Sequence, residues 1–359
     1  RNFLLFLKYK NIGVGYHNGN KWWGPGLHSS LQMSNNTYPI PSFLAGNLNE
    51  IKFGKLGLQI LYSFSQLNNE EGSKAHYLTS LNASLAWHGS AIWSIGFSRN
   101  YITGGKNISN YVWSKSDAQK IIFEGLFTSD LIGQEYTVAG HDLWDQTLSG
   151  YFAIIYPEKN IKAYLELGFN DNRMYFADFL SQPDHSMASI IGLRDYGDLK
   201  KKITPIWGFE WTNLMITYSS RFRLAGPGTW YDRKQYNYSS YKGRRWSAHS
   251  GSDSDDIYVY AGIRTKNIIL YQGLNYERHG IVSHRPAEVK LESISTIQLF
   301  HSGFWFTVYY ENQLEAFLGF PDYFYVDSNN NPINEDNGIL ANNRKTSTLK
   351  LKVSKIIKF

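Results

Sequence analysis

Residues 161–171 read IKAYLELGFND, and their alternation decides the fold class. Apolar side chains occupy the odd positions from Ile161 to Phe169, and polar or small side chains occupy most of the even positions, beginning with Lys162. Because successive side chains of a strand point to opposite faces, this pattern predicts a β-strand with one apolar face. The same alternation recurs at 56–65 and 80–88, so the sequence predicts an all-β chain.

The composition indicates what surrounds the apolar face of the strands. Charged residues make up 18% of the chain and aromatic residues 16%, whereas soluble domains average about 25% charged. Low charge with many aromatics is typical of a surface that faces lipid and carries aromatic girdles. No stretch approaches the roughly 20 apolar residues of a spanning helix, and the absence of cysteine excludes disulfides and thiolate metal sites. The net charge of +6 favours acidic partners, although a surface without a specific partner also explains it.

Turn spacing and the last strand distinguish a membrane barrel from a soluble sandwich. Short links such as Pro157–Asn160 alternate with long polar links such as 223–256, and the strands between them run about 9–13 residues, as tilted membrane strands do. The stretch Leu349–Phe359 alternates and ends on an aromatic residue, and it resembles the C-terminal strand of bacterial outer-membrane proteins. We predict a single-domain (1–359) transmembrane antiparallel β-barrel, integral to the bacterial outer membrane, with long extracellular loops and short periplasmic turns.

The predicted strands have an odd count. They are 2–9, 12–17, 27–34, 56–66, 79–88, 91–99, 141–156, 161–171, 203–211, 214–222, 257–266, 268–278, 288–300, 303–316 and 346–359. Bacterial barrels normally have an even number of strands. We therefore expect a missing N-terminal part with at least one strand before Arg1, further strands within 100–140 or 172–202, and about 16–18 strands in the intact barrel.

The segment 21–41, KWWGPGLHSSLQMSNNTYPIP, is the first candidate for a functional role. A proline between two glycines forces a turn beside two tryptophans. Those rings can stack on sugar faces or pack into the barrel wall, and the asparagine amides suit a hydrogen-bond network or sugar hydroxyls. The motif residues are Trp22, Trp23, Gly24, Pro25, Gly26, Asn35 and Asn36.

The loop 223–256 is the second candidate, because it mixes basic and aromatic residues. Aromatic rings offer flat faces for sugars, and arginine offers a fork for the carboxylates of acidic sugars. A lid packed with tyrosine and arginine is the alternative, and an outer-membrane location excludes nucleic acid as the partner. The candidate glycan-binding residues are Trp230, Tyr231, Arg233, Tyr236, Tyr241, Arg244, Arg245 and Trp246.

The WWGPG turn, the SNN at 34–36 and the Pro-x-Pro at 39–41 together resemble the Wzi family of capsule-assembly outer-membrane proteins. The stretches 123–146, 165–171 and 230–256 look similar but are less specific. The resemblance implies an 18-stranded barrel and a helical segment that closes its periplasmic side. It also implies a surface lectin that attaches or organises capsular or exopolysaccharide. The expected partners are that polysaccharide, outer-membrane lipid and lipopolysaccharide, and other envelope proteins.

Residues that invite a catalytic or metal-binding interpretation are few. They are the sequence Gly140-His141-Asp142, the carboxylates Glu166 and Asp171, and the aspartates within 253–256. No nucleophile motif, phosphate loop or HExxH motif accompanies them, and EF-hand spacing is missing. We therefore predict no enzyme activity, no catalytic residue, no metal and no cofactor. The alternatives to a lectin are a channel or porin, a barrel subunit of a larger envelope complex, and a membrane-embedded hydrolase.

Overall fold

The protein is represented by a computed structural model. It describes residues 3–67, 76–104, 113–123, 137–138, 141–142, 144–170, 176–198, 200–222, 230, 239–282, 287–316 and 343–355. Within these ranges, no helix combines the length and apolar character needed to cross a membrane.

One antiparallel sheet of 16 strands dominates the chain. The elements are β1 (Phe3–Tyr9), β2 (Ile12–Gly19), β3 (Ile40–Gly46), β4 (Ile51–Phe53), β5 (Leu56–Leu67), β6 (His76–His88), β7 (Ile92–Gly104), α1 (Lys115–Phe123), β8 (Thr137–Val138), β9 (His141–Asp142), β10 (Trp144–Tyr156), β11 (Ile161–Asn170), α2 (Phe176–Ser181), β12 (Met187–Asp195), β13 (Ile203–Asn213), a 3-10 turn (Ser219–Phe222), β14 (Ser240–Tyr241), β15 (Arg244–Arg245), β16 (Ser254–Thr265), β17 (Ile268–His279), β18 (Glu288–His301), β19 (Phe304–Ala316) and β20 (Arg344–Lys355). The sheet order is β1-β2-β3-β5-β6-β7-β10-β11-β12-β13-β16-β17-β18-β19-β20, with β4 beside β5, while β8–β9 and β14–β15 form separate hairpins.

The strands expose apolar side chains and bury polar ones. In β17, Leu270 and Leu274 are 41% and 53% exposed, whereas Asn275 and Glu277 are buried. Across the described residues, polar and charged side chains outnumber apolar ones among those that are buried. A soluble protein shows the opposite preference. The predicted alternation is therefore present, with its apolar face on the outside, where lipid rather than water suits it.

Links between sheet neighbours alternate between short and long, as predicted. Two residues join β18 to β19, and both central residues, Ser302 and Gly303, have positive φ angles of 50° and 82°. This is the type I′ geometry that matches strand twist in a tight hairpin. The next link, between β19 and β20, spans residues 317–343.

The prediction of a strand at 27–34 is wrong. The third strand of the sheet is Ile40–Gly46, and the earlier segment contributes a single bridge between Trp23 and Met33. Residues 29–34 are all buried, on both parities. A segment buried on every side has no exposed face and does not belong to the sheet wall.

The prediction of a turn at 211–213 and of a strand at 214–222 is also wrong. β13 continues through Asn213 and pairs directly with β16, with Trp211 opposite Ile257. An additional strand, β12, lies within 172–202, the range where a further strand was expected. The missing strand and the additional strand compensate, so the sheet path still has fifteen strands.

The chain forms two compact units. The first comprises Arg1–Ile154, Tyr164–Ile190 and Ile216–Gly251, and the second comprises Ile155–Ala163, Ile191–Met215 and Ser252–Phe359. The first unit contains an apolar cluster of seven buried residues, Trp23, Met33, Ile40, Leu67, Leu78, Ile102 and Trp246.

Candidate functional site

The link between β2 and β3, residues 20–39, folds into a compact segment that we call the motif loop. The amide of Trp23 donates to the carbonyl of Met33 at 3.0 Å, and the hydroxyl of Ser30 donates to the carbonyl of Trp23. Gly24 has a φ of 125°, a backbone conformation that side chains rarely allow. The WWGPG sequence therefore builds a closed turn and not an open loop.

Residues 239–251, the hairpin segment, lie against the motif loop. Its tip is a two-residue turn at Lys242 and Gly243, with positive φ angles of 52° and 75°. On either side, Ser240 pairs with Arg245 and Tyr241 pairs with Arg244. Two positive φ angles are the signature of a type I′ turn, so the two residues project from a short, defined hairpin.

Hydrogen bonds to main-chain carbonyls hold the motif loop against the hairpin segment. The amide of Ser34 donates to the carbonyl of Trp246 at 2.7 Å, and its hydroxyl donates to the carbonyl of Ser247. The side-chain amide of Asn36 donates to the carbonyl of Arg245 at 3.1 Å. The two segments singled out from the sequence, more than 200 residues apart, thus form one structural site.

Apolar packing completes the contact. Trp246 and Trp23 are 1% and 5% exposed and belong to the same buried cluster, against which Tyr241 also packs. Trp230 is 3% exposed, and its ring lies where a Cβ on Gly168 would approach it to 2.6 Å. In this conformation none of the three tryptophan rings is open to a sugar, so the structure assigns them to packing.

The two segments expose four residues that we call the tip surface: Asn35, Tyr38, Lys242 and Arg244. The guanidinium carbon of Arg244 lies 5.1 Å from the centre of the Tyr38 ring, within the range of a cation–π contact. Tyr38 is 48% exposed. Tyr38 was not among the residues predicted from the sequence, because its proximity to Arg244 arises only in the folded chain.

A buried carboxylate lies beneath the motif loop. Glu166 has no exposed surface, and Ser149 Oγ donates to its Oε1 at 2.8 Å. A Cβ on Gly24 would lie 2.7 Å from Glu166 Oε2, and the amide of Leu27 donates to the Tyr164 hydroxyl at 3.1 Å. The WWGPG turn therefore closes over β11, and this carboxylate is withdrawn from solvent.

The remaining predicted residues differ in their burial and contacts, and some lie outside the described residues. Tyr231, Arg233 and Tyr236 lie outside the described residues, and so do the side chains of His141 and Asp142. Trp22 and Arg245 are half-buried, while Pro25 and Gly26 are buried. Asp255 forms an ion pair with Arg278, and Asp253 Oδ2 accepts the Val282 amide at 2.8 Å. These two carboxylates are buried and engaged in structural contacts.

Lys21, near the start of the motif loop, is a buried cation. Its ammonium donates to Ser42 Oγ and, at 3.5 Å, to the carbonyl of Ile40. Burial lowers the pKa of Lys21 to about 8, because a buried ammonium loses its hydration. The base of the loop therefore contains an amine that titrates close to physiological pH.

Comparisons with known proteins bear on the fold and the family. The model of the family described as capsule assembly protein Wzi matches residues 7–138, which include the motif loop but not the hairpin segment. No curated protein matches the chain.

Two solved structures match the chain, and the first of them has a similar fold. The first is Wzi of Escherichia coli, described as an outer membrane protein involved in group 1 capsule assembly and a carbohydrate-binding β-barrel. It is 14% identical, with a TM-score of 0.61 over 87% of this chain and 65% of its own. The second, the ferric enterobactin receptor PfeA of Pseudomonas aeruginosa, is 10% identical over 88% of this chain and 53% of its own. Its TM-score is 0.29, too low to indicate a shared fold. The chain spans 65% of the length of the Wzi structure, and this likeness confirms the predicted β-barrel fold. The family model supports the predicted family resemblance over residues 7–138.

Proposed function

We propose that this chain is a surface lectin of the outer membrane and a relative of the Wzi family, a role that its β-barrel fold and the family match over residues 7–138 support. It binds capsular or exopolysaccharide and attaches or organises the polymer at the cell surface. The observation that supports this role is the tip surface, where the guanidinium of Arg244 stacks on the exposed ring of Tyr38.

The chemistry of the tip surface favours an acidic polymer. The Tyr38 ring is flat and exposed, as stacking on the C–H face of a sugar requires. Arg244 presents a planar fork of donors for a carboxylate, and Lys242 adds a second cation at the hairpin tip. Asn35 carries an amide that can both donate to and accept from sugar hydroxyls. These four side chains combine the groups needed to recognise an acidic sugar.

We also propose partners for the strands and for the long links, and a role that does not involve catalysis. Lipid and lipopolysaccharide surround the apolar face of the strands, and other envelope proteins meet the long links. The chain acts by binding and not by catalysis. Glycan contacts from Tyr231, Arg233 and Tyr236 stay a prediction alongside those of the tip surface.

The direct test is binding of the host's own surface polysaccharide by the purified protein in detergent. We expect the Tyr38→Ala/Arg244→Ala variant to lose binding by at least tenfold while its barrel stays folded. A matched control is Tyr156→Ala/Lys159→Ala, which removes an exposed aromatic residue and a cation from the region of a short link. A neutral glucan tests the requirement for acidic sugar.

Three outcomes would overturn the proposal. Equal losses in the two variants would show that the tip surface is not the site. Binding that ignores the charge of the glycan would remove the acidic-sugar assignment. No binding by the folded parent would reject the lectin role. It would favour a channel, measured by conductance in planar bilayers, or a subunit of an envelope complex.

A further inference from the structure

A basic pocket lies at the opposite strand ends from the long links of the second unit. The short link between β12 and β13 and the turn between β16 and β17 enclose a cavity of about 460 Å³. That volume is within the roughly 300–1,000 Å³ of small-molecule sites. The pocket is lined by Asp198, Lys200, Lys201, Lys202, Thr204, Arg264, Thr265 and Lys266.

The charge of this basic pocket is strongly unbalanced. Five cations line it against one carboxylate, that of Asp198. Asp198 Oδ1 accepts the amide of Lys200 at 2.9 Å, so the carboxylate shapes its own turn. Among the residues that the structure describes, none forms an ion pair with any of the five cations. Among the described residues, Asp198 is therefore the one carboxylate that lines the pocket beside these five cations.

Hydrogen bonds fix the walls of the pocket. Thr204 Oγ1 accepts the amide of Asp198 at 3.0 Å, and Thr265 Oγ1 accepts the amide of Ile268 at 2.9 Å. The strand register places Thr204 directly opposite Arg264. Because both turns are held by side chains of the neighbouring strands, the cations project from a preformed frame, which lowers the entropy lost when an anion binds.

The pocket lies where the apolar band of the strands ends. Ile203, at the first position of β13, is 60% exposed and pairs with Thr265. Ile263 and Trp207, further along the same strands, are also exposed. In outer-membrane barrels, short links face the periplasm, where the adjoining leaflet consists of phospholipid. The cations are thus level with phosphate groups and not with hydrocarbon.

We propose that this basic pocket binds the phosphate of an anionic phospholipid headgroup in the periplasmic leaflet of the outer membrane. The lysines neutralise the phosphate charge, Arg264 offers a bidentate contact, and the neighbouring apolar side chains accompany the acyl chains. The site is independent of the tip surface and of the lectin role.

The test uses the purified protein in mixed micelles of neutral detergent with phosphatidylglycerol or with zwitterionic phosphatidylcholine. Native mass spectrometry counts the lipids that each protein retains. We expect selective retention of phosphatidylglycerol. Each cation near an anionic headgroup contributes roughly fivefold to binding. Lys200→Gln/Lys201→Gln/Lys202→Gln should therefore lower retention by at least tenfold, and Arg264→Gln/Lys266→Gln should reproduce the loss from the other wall.

The matched control is Lys10→Gln/Lys52→Gln/Lys55→Gln, which removes the same charge from exposed positions at or beside other short links. An equal loss in this control, or equal retention of the two lipids by the parent, would overturn the site. Inorganic phosphate separates the two sources of the anion. If phosphate alone stabilises the parent but not the lysine variant, and phosphatidylglycerol adds nothing, the pocket takes free phosphate and the lipid assignment fails.

Discussion

A Cβ atom on Gly24 would lie 2.7 Å from Oε2 of the buried Glu166, so the WWGPG turn closes over this carboxylate only with glycine at that position. The relationship joins the most recognisable motif of the sequence to the second half of the 161–171 strand. It also explains why the motif loop is a structural element of the site before it is a surface for ligands.

Gly24→Ala should therefore destabilise the protein. The φ of 125° disfavours any side chain, and the added methyl group would meet the Glu166 carboxylate. We expect a loss of about 2–3 kcal/mol in the free energy of unfolding, measured by urea titration in detergent. Gly303→Ala is the control, because its φ is also positive, at 82°, but its Cβ would point into open space. Equal losses in both variants would exclude the contact with Glu166 as the cause.

The hydrogen bond from Asn36 to the Arg245 carbonyl should hold the hairpin segment in place. Asn36→Asp removes the donor and sets a carboxylate against that carbonyl. We expect a loss of about 1–3 kcal/mol and faster proteolysis within residues 239–251. Asn35→Asp, an exposed neighbour with the same charge change, should leave proteolysis unchanged. Protection that persists in Asn36→Asp would contradict the docking role.

Trp246 should contribute to folding rather than to ligand contact. Its ring is buried among the seven residues of the apolar cluster, so Trp246→Ala leaves a cavity and should cost about 3–5 kcal/mol. Trp93→Ala, at a ring that is 46% exposed, should cost much less in thermal unfolding experiments. A Trp246→Ala variant with unchanged stability and reduced glycan binding would return this residue to the ligand site.

Lys21 should make stability depend on pH in the alkaline range. The unfolded chain holds this proton up to about 10.5, whereas the folded chain releases it near 8. Between these values the unfolded state binds more protons, so stability rises with pH. The gain is on the order of 3 kcal/mol, and below pH 8 this residue contributes no slope.

The difference between the parent and Lys21→Met isolates this effect, because the other titrating groups cancel. Urea titrations at pH 7, 9 and 10 should show a steeper rise in stability for the parent. Parallel pH profiles would show that the ammonium is hydrated in the folded protein.

Alternation predicted the strands wherever one face is exposed and the other buried. The stretch 161–171 and thirteen of the fifteen strands on the sheet path followed from that pattern. It failed at 27–34, where burial on both parities removes the contrast between faces. It also failed beyond Asn213, where the alternation of burial continues to Ile216 although the chain has left the sheet. The alternation pattern reflects whether each side chain is buried or exposed. It does not show which strand, if any, the segment pairs with.

The sequence predicted which segments form the site, but it did not predict the role of each residue in it. The WWGPG turn located the motif loop, and mixed basic and aromatic content located the loop that contains the hairpin segment. Which tryptophan is buried depends on contacts between residues such as Ser34 and Trp246, and composition does not encode those contacts. Tyr38 became a candidate only when the structure placed it beside Arg244.

Ser34 and Asn36 of the motif loop donate hydrogen bonds to main-chain carbonyls of the hairpin segment. Those carbonyls belong to Arg245, Trp246 and Ser247. A carbonyl is present whatever side chain its residue carries. Substitutions at the exposed hairpin tip can therefore change the charge and shape offered to a sugar without weakening the contact between the motif loop and the hairpin segment. A scaffold of this kind separates the task of holding a binding surface from the task of choosing its ligand, and it leaves the second free to diversify as surface polymers change.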